Sequence, residues 1–292
     1  METYHPPPSM ILVVGGFDGW DNNARLSSVE VISNEESNQM QLPNLPTGID
    51  GPSILNHGSS ILVCGGWGNE NSCLKLTTDS WIHHSSLTVP RSRSCAVSTN
   101  SASILFGGYE SNFGKDTYEY MDHGSNVWKV GNTNIPGGLD EGCAVTISQE
   151  EVWFIGGRNT ERRILSFNTV SHTFQELSAK LIQGRYAHAC ARIPGTKKIL
   201  VTGGWALDST EIIDITTQNI SNASPLNTKR YLHGIGVMTV GKEEKIVVLG
   251  GNDGFNWLDD IEVYQDDTQT WTLKDIKLSE AKFSMGVLTV KK

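Results

Sequence analysis

Two stretches of this 292-residue chain share a spelling, Arg185-Tyr186-Ala187-His188 and Arg230-Tyr231-Leu232-His233. Histidines at matching positions suggest a metal pair, because neutral imidazole is a common ligand. The repeated spelling gives a plainer reading: equivalent positions in two copies of one structural unit, with each histidine hydrogen-bonded in a core. His83-His84 stands on an outer strand and gains nothing from adjacency. The five cysteines make an odd count without CxxC spacing, which reads as free thiols in a reducing compartment, the cytosol. Cys95, Cys143 and Cys190 recur in equivalent strands, where a small side chain fits, and Cys73 is the one candidate for a reactive thiol. No GxSxG, phosphate-binding loop or paired-carboxylate motif occurs, so no catalytic residue, cofactor or metal site is assigned. Asn219 and Asn222 head Asn-x-Ser sequons, which have no meaning in a cytosolic chain. What remains is recognition chemistry: arginines suited to carboxylates, and large aromatics suited to anchoring a partner.

The elements that position these residues announce themselves by glycine pairs. An apolar run precedes Gly15-Gly16, Gly65-Gly66, Gly107-Gly108, Gly156-Gly157, Gly203-Gly204 and Gly250-Gly251. The first glycines (15, 65, 107, 156, 203, 250) are 42 to 50 residues apart, a period that signals a repeat architecture. After each pair come a polar loop and a short alternating strand, such as SSVEVI, DTYEYM or DIEVY. A further strand opens on a large apolar residue: Met40, Trp81, Trp128, Phe174, Ile220 or Trp271. A small-residue strand such as SCAVS or YAHACA leads into the next pair. Four strands per unit without helical periodicity read as an all-β meander, and six such sheets arranged radially make a propeller. The glycines end the second strand of each blade, where a side chain would meet a neighbouring blade and positive φ is needed.

Gly15 to Ile32, "GGFDGWDNNARLSSVEVI", and Gly250 to Trp271 resemble the glycine pair, loop, acidic position and spaced tryptophan of the kelch repeat family. The resemblance covers nearly the whole chain and is similar to the kelch domain of kelch-like (BTB-kelch) substrate adaptors. It implies a six-bladed kelch β-propeller with four antiparallel strands per blade. Residues 1–9 read as a disordered lead-in and 10–292 as one propeller. The tail, Ala281 to Val290, matches the innermost strand of other blades and is expected to pair with residues 10–14, completing blade 1 and leaving no open edge.

Folding each inner hairpin about its turn tells which residues share a face. With centres at Thr99-Asn100, Pro194-Gly195 and Val240-Gly241, the residue opening each inner strand falls beside the residue following a glycine pair. The resulting partners are Lys282 with Phe17, Asp50 with Trp67, and Arg91 with Tyr109. Then come Asp140 (or Leu139, one residue earlier) with Arg158, Arg185 with Trp205, and Arg230 with Asn252. These positions are expected to line one mouth of the central channel. In kelch-like adaptors the corresponding positions contact bound peptides, which implies a protein or peptide partner here, acidic if the arginines are its anchors. The resemblance also implies substrate recognition for a ubiquitin ligase. The ligase-docking region of such adaptors is absent, so the expectation is an excised domain or a free-standing, monomeric propeller. Alternatives from the same family are a sugar-acid isomerase, a copper oxidase and an actin-binding propeller. Net charge −9 and pI about 5.4 argue against nucleic acid, and no run of 18 apolar residues suggests a membrane span.

Overall fold

The computed structural model describes residues 8–19, 24–34, 41–109 and 114–291. The chain opens on β1 (Ser9–Val14) and β2 (Val29–Ile32). Blade 2 is β3 (Ser53–His57), β4 (Ser60–Cys64), β5 (Ser72–Leu76) and β6 (Trp81–Ser86). Blade 3 is β7 (Cys95–Ser98), β8 (Ala102–Phe106), β9 (Tyr118–Asp122) and β10 (Lys129–Val130). Blade 4 is β11 (Cys143–Thr146), β12 (Glu151–Ile155), β13 (Ile164–Asn168) and β14 (Thr173–Glu176). Blade 5 is β15 (Ala189–Arg192), β16 (Lys198–Thr202), β17 (Thr210–Asp214) and β18 (Ile220–Ala223). Blade 6 is β19 (Gly234–Val240), β20 (Glu243–Leu249), β21 (Ile261–Gln265) and β22 (Thr270–Leu273).

The last strand, β23 (Gly286–Lys291), returns to blade 1 and pairs antiparallel with β1 from Ser9↔Lys291 to Val14↔Gly286. The ring is therefore closed by strands from the two ends of the chain, as the sequence pattern implies. Pairing begins at Ser9, inside the stretch read as a lead-in; residues 1–7 and Met40 lie outside the described residues. The six inner strands β3, β7, β11, β15, β19 and β23 each pack against the next in a closed circle.

The second strand of each blade is apolar at successive positions because both of its faces are covered. Along a strand, alternate side chains point to opposite faces. In β12, Val152 and Phe154 enter a core shared with blade 3, while Trp153 and Ile155 enter one shared with blade 5. In β16, Ile199 and Val201 face blade 4 and Leu200 faces blade 6. Six such cores, one between each pair of adjacent blades, hold the ring.

The expectation of free thiols is corrected. Cys64 bonds Cys73, its register partner across β4 and β5, with Cα atoms 4.1 Å apart. Cys143 of β11 bonds Cys190 of β15, joining the inner strands of blades 4 and 5. Cys73 is thus a buried strand residue rather than a reactive thiol, and Cys95 alone is free. Spacing could not reveal this, because each pairing crosses a strand turn or a blade boundary. The thiol argument for a reducing compartment goes with it.

Candidate functional site

Each glycine pair seats one blade on the next. A Cβ on Gly107 would lie 2.1 Å from the Leu139 carbonyl oxygen, and one on Gly65 would lie 2.4 Å from that of Arg91. Both glycines have positive φ, so the backbone turns there at no steric cost. The second glycine of each pair donates its N–H to that same carbonyl: Gly66 to Arg91, Gly108 to Leu139, Gly157 to Arg185, Gly204 to Arg230, at 2.7–3.0 Å. The residue that opens each inner strand is therefore clamped beneath the neighbouring blade.

That clamp decides the fate of the cations expected at the mouth. Arg91, Arg185, Arg230 and Lys282 are all buried, 0 or 1% exposed. Arg91 meets Glu119 at 3.1 Å, and Arg185 meets Glu211 at 2.7 Å. Arg230 meets Glu262 at 2.6 Å and Asp260 at 3.1 Å, and Lys282 meets Glu30 at 2.6 Å. Each of these glutamates also accepts backbone N–H groups from the loop ahead of the strand; Glu211 takes those of Ile182 and Gln183. Each cation is spent tying the start of its inner strand to the third strand of its own blade and offers no charge to a partner. Asn252 is buried as well, its Oδ1 accepting from the N–H of Gly254 to shape its own loop.

The register explains the discrepancy. In blade 5, Ala189 pairs with Thr202, so the regular ladder continues to Tyr186 opposite Trp205, with Trp205 N–H donating to the Tyr186 carbonyl. In blade 6, Val240 pairs with Glu243, which centres the turn on Gly241-Lys242, one residue later than expected. Blade 3 shifts likewise, placing Ser92 opposite Tyr109. A one-residue change in position along a strand moves a side chain to the other face. So Ser92, Tyr186 and Tyr231 face the mouth where Arg91, Arg185 and Arg230 were expected, and Phe283 replaces Lys282 beside Phe17. In blades 2 and 4 the expected partners do meet: Asp50 with Trp67, and Asp140 with Arg158.

Six of the twelve paired residues therefore reach solvent at this end: Phe17, Trp67, Tyr109, Asp140, Arg158 and Trp205. Tyr186, Tyr231 and Phe283 join them, and their rings run on from one another. Centroids are 6.2 Å apart for Tyr186–Trp205, 4.5 Å for Trp205–Tyr231, 6.5 Å for Tyr231–Phe283 and 5.6 Å for Phe283–Phe17. Across the mouth, Trp67 packs edge-on against Tyr109 at 5.7 Å. Tyr186 and Tyr231 occupy the second position of the repeated Arg-Tyr-x-His, and that repetition is the sequence signal for them.

Inside the aromatic crescent lies a backbone ring. Gly51, Arg93, Glu141, Ala187, Leu232 and Ser284 all have positive φ. Five N–H···O=C bonds link them around the axis: Arg93 to Gly51, Gly51 to Ser284, Ser284 to Leu232, Leu232 to Ala187, and Ala187 to Glu141. They border a cavity of about 150 Å3 whose walls include His188 and His233. On one side of the ring, Arg93 bridges Asp50 (3.4 Å) and Glu141 (3.0 Å), while Arg158 bridges Asp140 (3.4 Å) and Glu141 (2.5 Å). Burial, then the charge of Glu141, raises the Asp140 pKa above the ordinary carboxylate range.

The two histidines are buried in the inner part of adjacent blades. Burial, then the charge of Arg185, pushes His188 down to about 3, and burial with Arg230 lowers His233 well below its ordinary value. Both are neutral at pH 7, and His233 Nε2 sits 2.8 Å from Thr202 Oγ1. Their rings fill the space beside Gly156 and Gly203. Among the described residues, no group of three or more histidine, cysteine or acidic side chains could hold a metal.

The fold and the site define a six-bladed β-propeller with one aromatic, ion-paired mouth. No protein-family model matches the chain, and no curated protein matches it either.

Proposed function

We propose that this protein is an interaction module that grips a segment of a partner protein across the aromatic mouth. The observation that carries this is the exposed crescent itself. Trp205 is 53% and Tyr109 51% exposed, on a rigid ring where turn residues would serve folding equally well. Large aromatics on a preorganised surface are the residues that anchor partners. A propeller is commonly an interaction scaffold. The resemblance of Gly15–Ile32 and Gly250–Trp271 to kelch repeats supports a finer reading, substrate recognition for a ubiquitin ligase. We read the role as binding rather than catalysis because both buried histidines are held neutral and Asp50, Asp140 and Glu141 are engaged by arginines.

The test is a pull-down from cell lysate with identified partners, repeated with Trp205→Ala/Tyr231→Ala and with Glu150→Ala/Lys197→Ala. Glu150 and Lys197 are exposed at the turns that cap the opposite end of blades 4 and 5. The mouth variant should lose about 2–4 kcal/mol of binding, the usual range for paired anchors, and the far-end variant none. A partner indifferent to the mouth but sensitive to the far end would sink the reading.

A further inference from the structure

The two halves of the mouth differ in one respect. Where Trp67 and Tyr186 stand, the protein lays its own guanidinium groups over the rings: Arg93 lies 5.4 Å from the Trp67 centroid, and Arg158 lies 4.6 Å from that of Tyr186. Among the described residues, no cation of the chain lies over Trp205, Tyr231, Phe283 or Phe17. The same kind of ring is thus occupied on one side and open on the other.

The acids that border the backbone ring outnumber the arginines that pair them. The strand-opening cations are buried and paired, so none faces this surface. Arg93 and Arg158 are shared among three acids, Asp50, Asp140 and Glu141, which leaves an excess of one negative charge in the cluster. Oδ1 of Asp50, a residue only 3% exposed, and Oδ1 of Asp140 have no hydrogen-bond partner. A formal net charge of −9 adds a long-range field of the same sign.

Resting on the reading of this mouth as a partner-binding surface, we infer that the open arc of Trp205, Tyr231, Phe283 and Phe17 receives an arginine or lysine side chain of the partner, presented in an otherwise apolar segment. A cation over an aromatic face is attracted by the ring quadrupole, most strongly over tryptophan and when water is displaced. The partner's cation would repeat on the open side what Arg158 does over Tyr186. An acidic segment would meet the unbalanced carboxylate of the Asp50, Asp140 and Glu141 cluster.

The experiment is selection of phage-displayed random peptides on the immobilised full chain, followed by fluorescence anisotropy of the synthesised winners. The winners should share an arginine or lysine at one position flanked by apolar residues. Replacing that arginine with citrulline, which keeps the shape and removes the charge, or that lysine with norleucine should weaken binding about tenfold or more. Trp205→Ala and Tyr231→Ala should each abolish the preference, and Trp205→Phe, which retains a ring, should keep most of it. Far-ultraviolet circular dichroism and melting of each variant show that the fold is intact. Winners that need the mouth yet bind equally well without the charge, or that carry acidic residues instead, overturn the cation inference and leave the mouth reading in place. Winners indifferent to Trp205→Ala and Tyr231→Ala, or the absence of any winner, overturn both.

Discussion

Arg185 and Glu211 meet at 2.7 Å inside blade 5 with neither side chain exposed. Val201, the β16 residue paired with Glu211, is the second residue before Gly203, and the equivalent ladder positions hold Glu119, Glu262 and Glu30 in three other blades. Blades 2 and 4 place leucine there, Leu74 and Leu165. In those two blades the strand-opening residue is Ile49 or Leu139 rather than a cation. The protein thus contains both solutions to one packing problem, a buried ion pair and an apolar pair.

Removing one member of a buried ion pair leaves an uncompensated charge, at a typical cost of about 3–5 kcal/mol, whereas an apolar pair of similar volume is often neutral. Arg185→Ala should therefore lower the unfolding free energy by about that amount. Arg185→Leu with Glu211→Leu, copied from blade 4, should recover most of the loss. Urea titration decides between them, and a double variant no more stable than Arg185→Ala would contradict the account.

The C-terminal strand carries the ring closure. Deleting 286–292 strips six paired residues from β1 and uncovers the apolar inner wall of blade 1, where Val13 and Val14 are fully buried. An unpaired edge of that kind promotes association. The shortened chain should aggregate or melt well below the parent in a thermal scan. A soluble monomer with unchanged melting would show that β1 and β2 hold without it.

Fold and glycines were legible because they are set locally: an apolar run, a glycine pair and a period near 47 are enough to specify a blade. The mouth was half legible. Trp67, Tyr109 and Trp205 follow a glycine pair directly, so their place does not depend on where a hairpin turns. Arg91, Arg185 and Arg230 depend on register, and moving the turn in blade 6 from Val240-Gly241 to Gly241-Lys242 suffices to bury Arg230 and bring Tyr231 out. The warning lay in the repeats themselves, where a strand-opening cation always accompanies a glutamate and an apolar one a leucine. The disulfides could not be read, because Cys143 and Cys190 are brought together by blade packing rather than by sequence neighbourhood.

Thiol counting tests the cysteine assignment. Cys95 is the only free cysteine, its Sγ donating to the Gly142 carbonyl, and burial followed by the charge of Asp140 pushes its pKa up to about 12. An aromatic disulfide reagent at pH 8 should detect no thiol in the native protein, one after denaturation and five after reduction. Cys143 and Cys190 are 47 residues apart, so the loop-entropy model assigns their link about 4 kcal/mol. Cys190→Ala should cost a comparable amount in urea. Five thiols in denatured, unreduced protein purified under oxidising conditions would refute both pairings.

The last expectation concerns acid. His188 has a folded-state pKa of about 3, below the ordinary value of 6.5, chiefly because burial penalises the imidazolium and secondly because Arg185 repels it. His233 shifts in the same direction for the same first reason. Between 6.5 and 3 the unfolded chain binds protons that the native state refuses, so native stability is complete above about pH 6.5 and falls as pH drops towards 3. Each histidine contributes a slope of up to about 1.4 kcal/mol per pH unit within that window. Carboxylates add their own slope at the lower end, so the informative quantity is the difference between proteins. His188→Gln should be less stable at pH 7.5, where a packed ring is lost, yet show a shallower decline between pH 6 and pH 4.5. Urea midpoints measured across that interval give both slopes. If His188→Gln and His233→Gln each decline as steeply as the parent, the two histidines are not the groups whose protonation unfolds this propeller.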